Sequence, residues 1–149
     1  MIRKAKVMDG KNIHQLLLEG AKKGELLPRS LNEIYDNIRD YYVFYEGDEL
    51  IGVSALHICW EDLAEVRSLM VREDRRKSGV GSLLLKSCLE EAINLGLKKV
   101  FALTYQVDFF NKYGFKVIDK KELPHKIWSD CIKCSKFPDC DEIAVIKML

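Results

Sequence analysis

Two groups of residues in this chain have types and spacing suited to chemistry. The first is the basic turn Arg76-Lys77-Ser78-Gly79-Val80-Gly81, set between an apolar run and an amphipathic one. The first amides of a helix lack intrahelical partners, and Gly79 and Gly81 have no side chains to crowd them, so the turn can hold an anion. The pyrophosphate of a nucleotide-type cofactor is the natural candidate. A solvated loop that merely caps a helix reads the same way in isolation, so context must decide. The second group is Cys131-x-x-Cys134, followed by Cys140 and preceded by His125. Three thiolates and an imidazole could form a tetrahedral zinc set, but no second C-x-x-C completes the spacing. The expectation is therefore no metal, with these four as the residues that would bind one.

The elements that must position these groups follow from patterning. A chain of 149 residues is read as one domain over residues 1–149, with residues 119–149 a C-terminal extension holding the cysteine loop and a last strand. The formal charge of +1 gives no general case for nucleic acid or an anionic membrane, although Arg72, Arg75, Arg76 and Lys77 cluster locally. No apolar run is long enough for a bilayer and no signal-peptide core follows Met1, so a cytoplasmic protein with reduced thiols is expected. A short strand is predicted over 2–7. A helix capped by Asp9 follows, with Ile13, Leu16, Leu17 and Ala21 on one face. Ser30 and Glu33 form a capping box for a second helix, so that two helices make one wall of a cleft. A hairpin turns at residues 46–49, between runs 41–45 and 50–60. A strand over 65–71 leads into the basic turn. The next helix directs Leu83, Leu84, Cys88, Leu89 and Ala92 to the sheet and stops at Gly96. A strand over 98–105, a short helix over 108–113, a strand over 115–118 and a last strand over 142–148 complete the series. As an edge, that last strand could pair between subunits in a homodimer.

This order of elements, with Val71-Arg72 through Gly81 and the segment Phe109-Phe110-Asn111-Lys112-Tyr113-Gly114-Phe115, resembles the GNAT acetyltransferase superfamily. The resemblance implies an α+β fold, a mixed layer whose mostly antiparallel central sheet is flanked by helices, and acetyl-CoA as co-substrate. Leu27-Pro28-Arg29-Ser30, residues 96–104 and Leu123-Pro124 further resemble the acetyltransferase domain of bacterial N-acetylglutamate synthase. That likeness implies acetyl transfer to a small amino acid, L-glutamate, in arginine biosynthesis, by direct attack through a tetrahedral intermediate. The amino-acid-kinase domain common in that enzyme has no room here, and arginine feedback through it is not implied.

The resemblance also assigns site residues. The strand holding Glu65 is expected to splay at a bulge, freeing backbone of Leu69, Met70 and Val71 for the acetyl carbonyl and pantetheine. The pyrophosphate would rest on amides from Arg76 to Ser82, with Arg76 as its side-chain partner, Lys77 in support and Phe110 nearby. Glu65, in Ala64-Glu65-Val66, matches a general-base glutamate, acting through a water or with a raised pKa; a solvent-facing carboxylate is the alternative. The departing thiolate usually takes its proton from a tyrosine, but Phe110 stands at that place. Tyr105, Tyr113 and solvent are the alternatives. Arg29 and Arg67 are the substrate-binding candidates for two carboxylates, against a surface role for Arg29 and an ion pair with Glu65 or Asp62 for Arg67. Acetylation of another small amine, a protein lysine or an N-terminus, and non-catalytic acyl-CoA binding, are the rival functions.

Overall fold

The computed structural model describes residues 1–123 and 142–149. Seven strands form one sheet in the order β1-β2-β3-β4-β5-β7-β6. The first four are β1 (Ile2–Lys4), β2 (Tyr41–Glu46), β3 (Glu49–Trp60) and β4 (Leu63–Val71), all antiparallel neighbours. The others are β5 (Lys99–Thr104), β6 (Lys116–Ile118) and β7 (Ile143–Met148). Among the described residues only β4 and β5 run parallel, as the crossover through a helix requires. This is the α+β architecture expected.

The helices α1 (Gly10–Lys22) and α2 (Leu31–Asp36) cover one face, and α3 (Val80–Asn94) and α4 (Val107–Asn111) the other. Alternation along β3 sets the two faces. Val53 and Ala55 pack with Ile13, Leu17 and Ile34, whereas Leu56 joins Leu85, Cys88 and Ala92. Gly52 lets α3 approach closely, because a Cβ there would lie 2.8 Å from a Leu84 methyl. Ser54 anchors the same contact by donating to the Leu84 carbonyl at 3.3 Å.

Three expectations are corrected. Leu83 is 47% exposed, and Val80 and Leu85 take the inward positions of α3 instead. The helix begins at Val80, which sets the inward stripe at 80, 84, 85, 88 and 92. Asp9 does not cap α1. A 3-10 turn (Val7–Asp9) precedes that helix, and the Asp9 carboxylate turns back to accept from Arg3 at 2.8 and 3.0 Å, Lys6 N–H at 2.7 Å and Tyr45 at 3.0 Å. Finally, β7 is interior, paired with β5 on one side and β6 on the other, so its edges are not open to a second subunit. Ser30 does accept from Glu33 N–H at 3.1 Å, one half of the capping box, while the Glu33 carboxylate accepts from Arg29 instead of closing the other half.

Candidate active site

The site originates in a break between two strands. Pairing of β4 with β5 covers Leu63↔Lys99, Ala64↔Val100 and Glu65↔Phe101 and stops there, while β5 continues against β7. Beyond Glu65, β4 bends away at a bulge: Val53 faces Met70 and Ala55 faces Arg67, leaving Ser68 and Leu69 opposite Ser54. Ser68 has φ 56°, a left-handed conformation costing about 1–2 kcal/mol for a residue with a Cβ. The splay exposes the β5-facing backbone edge of residues 66–71 to a cleft of about 1210 Å³. This is the opening expected at Leu69, Met70 and Val71, all of which line it.

At one end of the cleft lies the basic turn. Lys77 (φ 65°) and Gly79 (φ 88°) are both left-handed, and alternation of this kind turns successive amides toward one concavity. The Leu83 amide makes the first helical bond, to Gly79 O at 3.1 Å, so the amides of Val80, Gly81 and Ser82 precede the ladder. Gly81 brings no Cβ to the space between Phe109 and Val71. These features fit the diphosphate and pantetheine of coenzyme A. Arg76 is held there by an ion pair with Glu25 and by donating to the Val71 carbonyl at 3.2 Å. Arg76, Lys77, Gly79 and Val80 line the cleft, although the Val80 side chain is core, packed with Ile51 and Leu84. The Ser78 hydroxyl donates to the Arg75 carbonyl.

The opposite end is polar and lies on the sheet face covered by α1 and α2. Two apolar clusters sit on this face, one around Ile13 and Val53, the other around Phe101 and Leu123. Glu65, Arg67 and His57 fall between them. Glu65 is only 8% exposed, not a solvent-facing carboxylate, and its Oε1 accepts from Arg67 Nη2 at 2.9 Å and Nε at 3.2 Å. The ion-pair alternative for Arg67 is therefore the observed one. Arg29 lines the cleft from the entry to α2, touching Glu33 at 3.5 Å. The buried Tyr41 hydroxyl belongs to the apolar cluster of this face. Burial pushes that hydroxyl up, against a hydrogen bond with Ser68 and the charges of Arg29 and Arg67. Arg29, Arg67 and Ser68 all line the cleft.

The aromatic candidates divide. Phe110 borders the cleft but is 4% exposed and stacks edge-on with Phe109 and Phe115, so it serves chiefly as core. Tyr113 hydrogen-bonds Ser82 in the first turn of α3, which brings its hydroxyl to the basic-turn end. Tyr105 is half-buried past the end of β5 and does not line the cleft. The set Cys131, Cys134, Cys140 and His125 lies outside the described residues. Sequence reasoning missed His57 and Asp40, whose side chains meet at 2.7 Å. The available signal was a lone histidine in an apolar β run, whose partner is 17 residues away.

A split parallel strand pair, a bulge beside it and an amide-rich turn opening the next helix define an acyl-CoA N-acyltransferase fold. The sequence pattern of the acetyltransferase (GNAT) family matches residues 11–115, and the chain belongs to that family. It is an acetyl-CoA-dependent N-acetyltransferase. An uncharacterized N-acetyltransferase of Chlorobaculum tepidum is 38% identical over 99% of this chain and 96% of its own. An amino-acid acetyltransferase of Mycobacterium tuberculosis is 29% identical over 87% and 76%, respectively. Other amino-acid acetyltransferases, such as that of Shewanella oneidensis, are longer, and the chain spans only 28% of that protein. Among solved structures, Rv2747 from M. tuberculosis in complex with CoA and NLQ superposes with TM-score 0.84 at 25% identity, covering 100% and 99% of the two chains. N-acetylglutamate synthase from Neisseria gonorrhoeae, complexed with coenzyme A and N-acetyl-glutamate, shares the fold at TM-score 0.90 and 24% identity, over 100% of this chain and 35% of that one.

Proposed function

We propose that the acceptor is L-glutamate, acetylated on its α-amino group in an N-acetylglutamate synthase-like step of cytoplasmic arginine biosynthesis. The observation that carries this reading is that Arg29 and Arg67 both line the same cleft, on the face that holds Glu65. A small dicarboxylate is the acceptor for which two guanidiniums in one pocket are suited. Arg29, whose one ion-pair contact among the described residues is that with Glu33 at 3.5 Å, takes one carboxylate; Arg67 steers the other while keeping Glu65 in place. The amino-acid acetyltransferases among the relatives support the same class of acceptor.

In this reading the Val80, Gly81 and Ser82 amides hold the diphosphate with Arg76 and Lys77. An amide of the bulged strand near Leu69 donates to the thioester oxygen as charge develops on it. Glu65 receives the acceptor's ammonium group, and Oε2, which makes no hydrogen bond to the described residues, is the oxygen that faces it. Tyr113 or solvent protonates the departing thiolate, an anion stable enough to need little help.

The test is thiol release from acetyl-CoA in the presence of glutamate, aspartate, glutamine and a lysine peptide, for wild type and Arg29→Ala. Glutamate should be preferred, and Arg29→Ala should raise its KM about tenfold or more with CoA affinity unchanged. Equal rates on the lysine peptide would overturn the assignment.

A further inference from the structure

His57 lies in the acceptor half of the cleft with Asp40 against it, and the transfer scheme leaves the pair without a task. Asp40 ends a 3-10 turn (Ile38–Asp40), and its carboxylate meets His57 Nδ1 at 2.7 Å. A carboxylate accepts hydrogen bonds, so Nδ1 carries the hydrogen, and the tautomer this selects in a neutral ring has its lone pair at Nε2. That nitrogen has no partner among the described residues. His57 lines the cleft with its side chain 27% exposed. It is also the cross-strand partner of Glu65 in the β3–β4 ladder, so both side chains leave the same face. Directly opposed residues have Cβ atoms about 4.5–5.5 Å apart, which brings the imidazole within reach of an ammonium group bonded to Glu65.

An acceptor amine must lose a proton before it can attack, and an ordinary carboxylate is a poor acceptor for it. An ordinary imidazole holds a proton about a hundredfold more tightly than a carboxylate does. In addition, Arg67 donates twice to Glu65 Oε1, engaging that carboxylate as an anchor. On the reading of this cleft as an amino-acid acetylation site, we propose that His57, oriented by Asp40, is the base that takes the acceptor's proton, with Glu65 holding the ammonium group in place. One ammonium N–H bond breaks and the Nε2–H bond forms. The Asp40 carboxylate offsets the imidazolium charge, and the freed nitrogen lone pair attacks the thioester carbonyl. The C–S bond then breaks with its electron pair on the thiolate, the attacking nitrogen gives up its second proton through solvent to that thiolate as the neutral amide forms, and His57 returns the first proton to solvent. Asp40 is a positioning residue in this scheme.

The charged groups around His57 are Asp40 on the 3-10 turn, Glu65 and Arg67 on β4, Arg29, Glu33 and Asp36 at α2, and Lys120 and Glu142, which also line the cleft. The test compares wild type, His57→Gln and Asp40→Asn by kcat, glutamate KM and CoA affinity across pH 5–9, with folding checked by circular dichroism. His57→Gln should lower kcat about 100-fold and abolish its fall on the acid side, leaving KM and CoA affinity within about threefold. Asp40→Asn keeps the ring but removes the carboxylate that favours imidazolium, so the acid-side fall should move to lower pH with a smaller loss of kcat. Should His57→Gln fail to fold, that displacement in Asp40→Asn decides alone. A His57→Gln kcat within threefold of wild type, or an unmoved acid limb in Asp40→Asn, overturns the proposal while leaving the acceptor assignment standing. Wild type that binds CoA but acetylates no amino acid overturns both.

Discussion

Replacing Gly81 with alanine should move stability and cofactor affinity in opposite directions. A Cβ built at this position meets Phe109 ring carbons and a Val71 methyl at 3.7 Å, which is ordinary contact, so the fold accommodates it. Gly81 is the second residue of α3, and glycine in a helix is less favourable than alanine by up to about 1 kcal/mol. The first turn realises part of that, so a gain of about 0.5 kcal/mol and a rise of roughly 1–2 °C in Tm are expected for a domain of this size. The same methyl, however, enters the gap between Phe109 and Val71 beside the amides proposed to face the diphosphate. Displacing the anion from one charge-assisted hydrogen bond, at about 1.5–3 kcal/mol, weakens coenzyme A binding by roughly tenfold to a hundredfold. Titration calorimetry reads the affinity and thermal unfolding the stability. A variant with raised Tm that binds coenzyme A within twofold of wild type would refute the cradle. A control separates backbone from space. Gly79, at φ 88° with no atom within 4 Å of the point where a side-chain methyl would fall, should lose about 1–2 kcal/mol of stability as alanine.

Other expectations follow from neighbouring groups. Glu65→Gln, which removes the charge that positions the acceptor's ammonium group, should lower kcat at least tenfold with acetyl-CoA affinity unchanged, measured by thiol release and calorimetry. Asp9→Asn should cost about 1–3 kcal/mol in urea unfolding at pH 7, since it removes hydrogen bonds from Arg3, Lys6 and Tyr45 to a charged acceptor. Burial alone would raise the Asp9 carboxyl, but those bonds outweigh it and hold it below its ordinary value. Its contribution is therefore present above the unfolded-state pKa and is lost as pH falls through the lower folded one; the difference between wild type and Asp9→Asn should shrink in acid. Burial pushes the Cys88 thiol up to about 12, against its contact with Ser54. Peptide mapping after alkylation at pH 8 should find Cys88 protected in the folded protein and labelled in urea.

Much of this fold was legible because local signals agreed with tertiary ones. The Ser30–Glu33 cap, the glycine turn at Gly47 and the stop at Gly96 each carry their conformation in their own chemistry. Asp9 failed as a cap because Arg3, Lys6 and Tyr45 compete for its carboxylate. The place of β7 between β5 and β6 depends on long-range pairing that periodicity does not encode. Within the site, the Arg76 to Ser82 turn was readable as one continuous motif. The acceptor wall was less so, because it assembles Arg29, Asp40, His57 and Arg67 from separate elements. Glu65 could be read as a strand carboxylate, but its tie to Arg67 required knowing that both side chains leave one face between two apolar clusters.

The most direct test of the account is a single competition. The folded protein is incubated with acetyl-CoA and an equimolar mixture of the proteinogenic amino acids, and acetylated products are quantified by mass spectrometry. N-acetylglutamate should form first and in largest amount, matched by released coenzyme A. A predominant product without an acidic side chain, or one acetylated at a side-chain amine, would contradict the paired-guanidinium site.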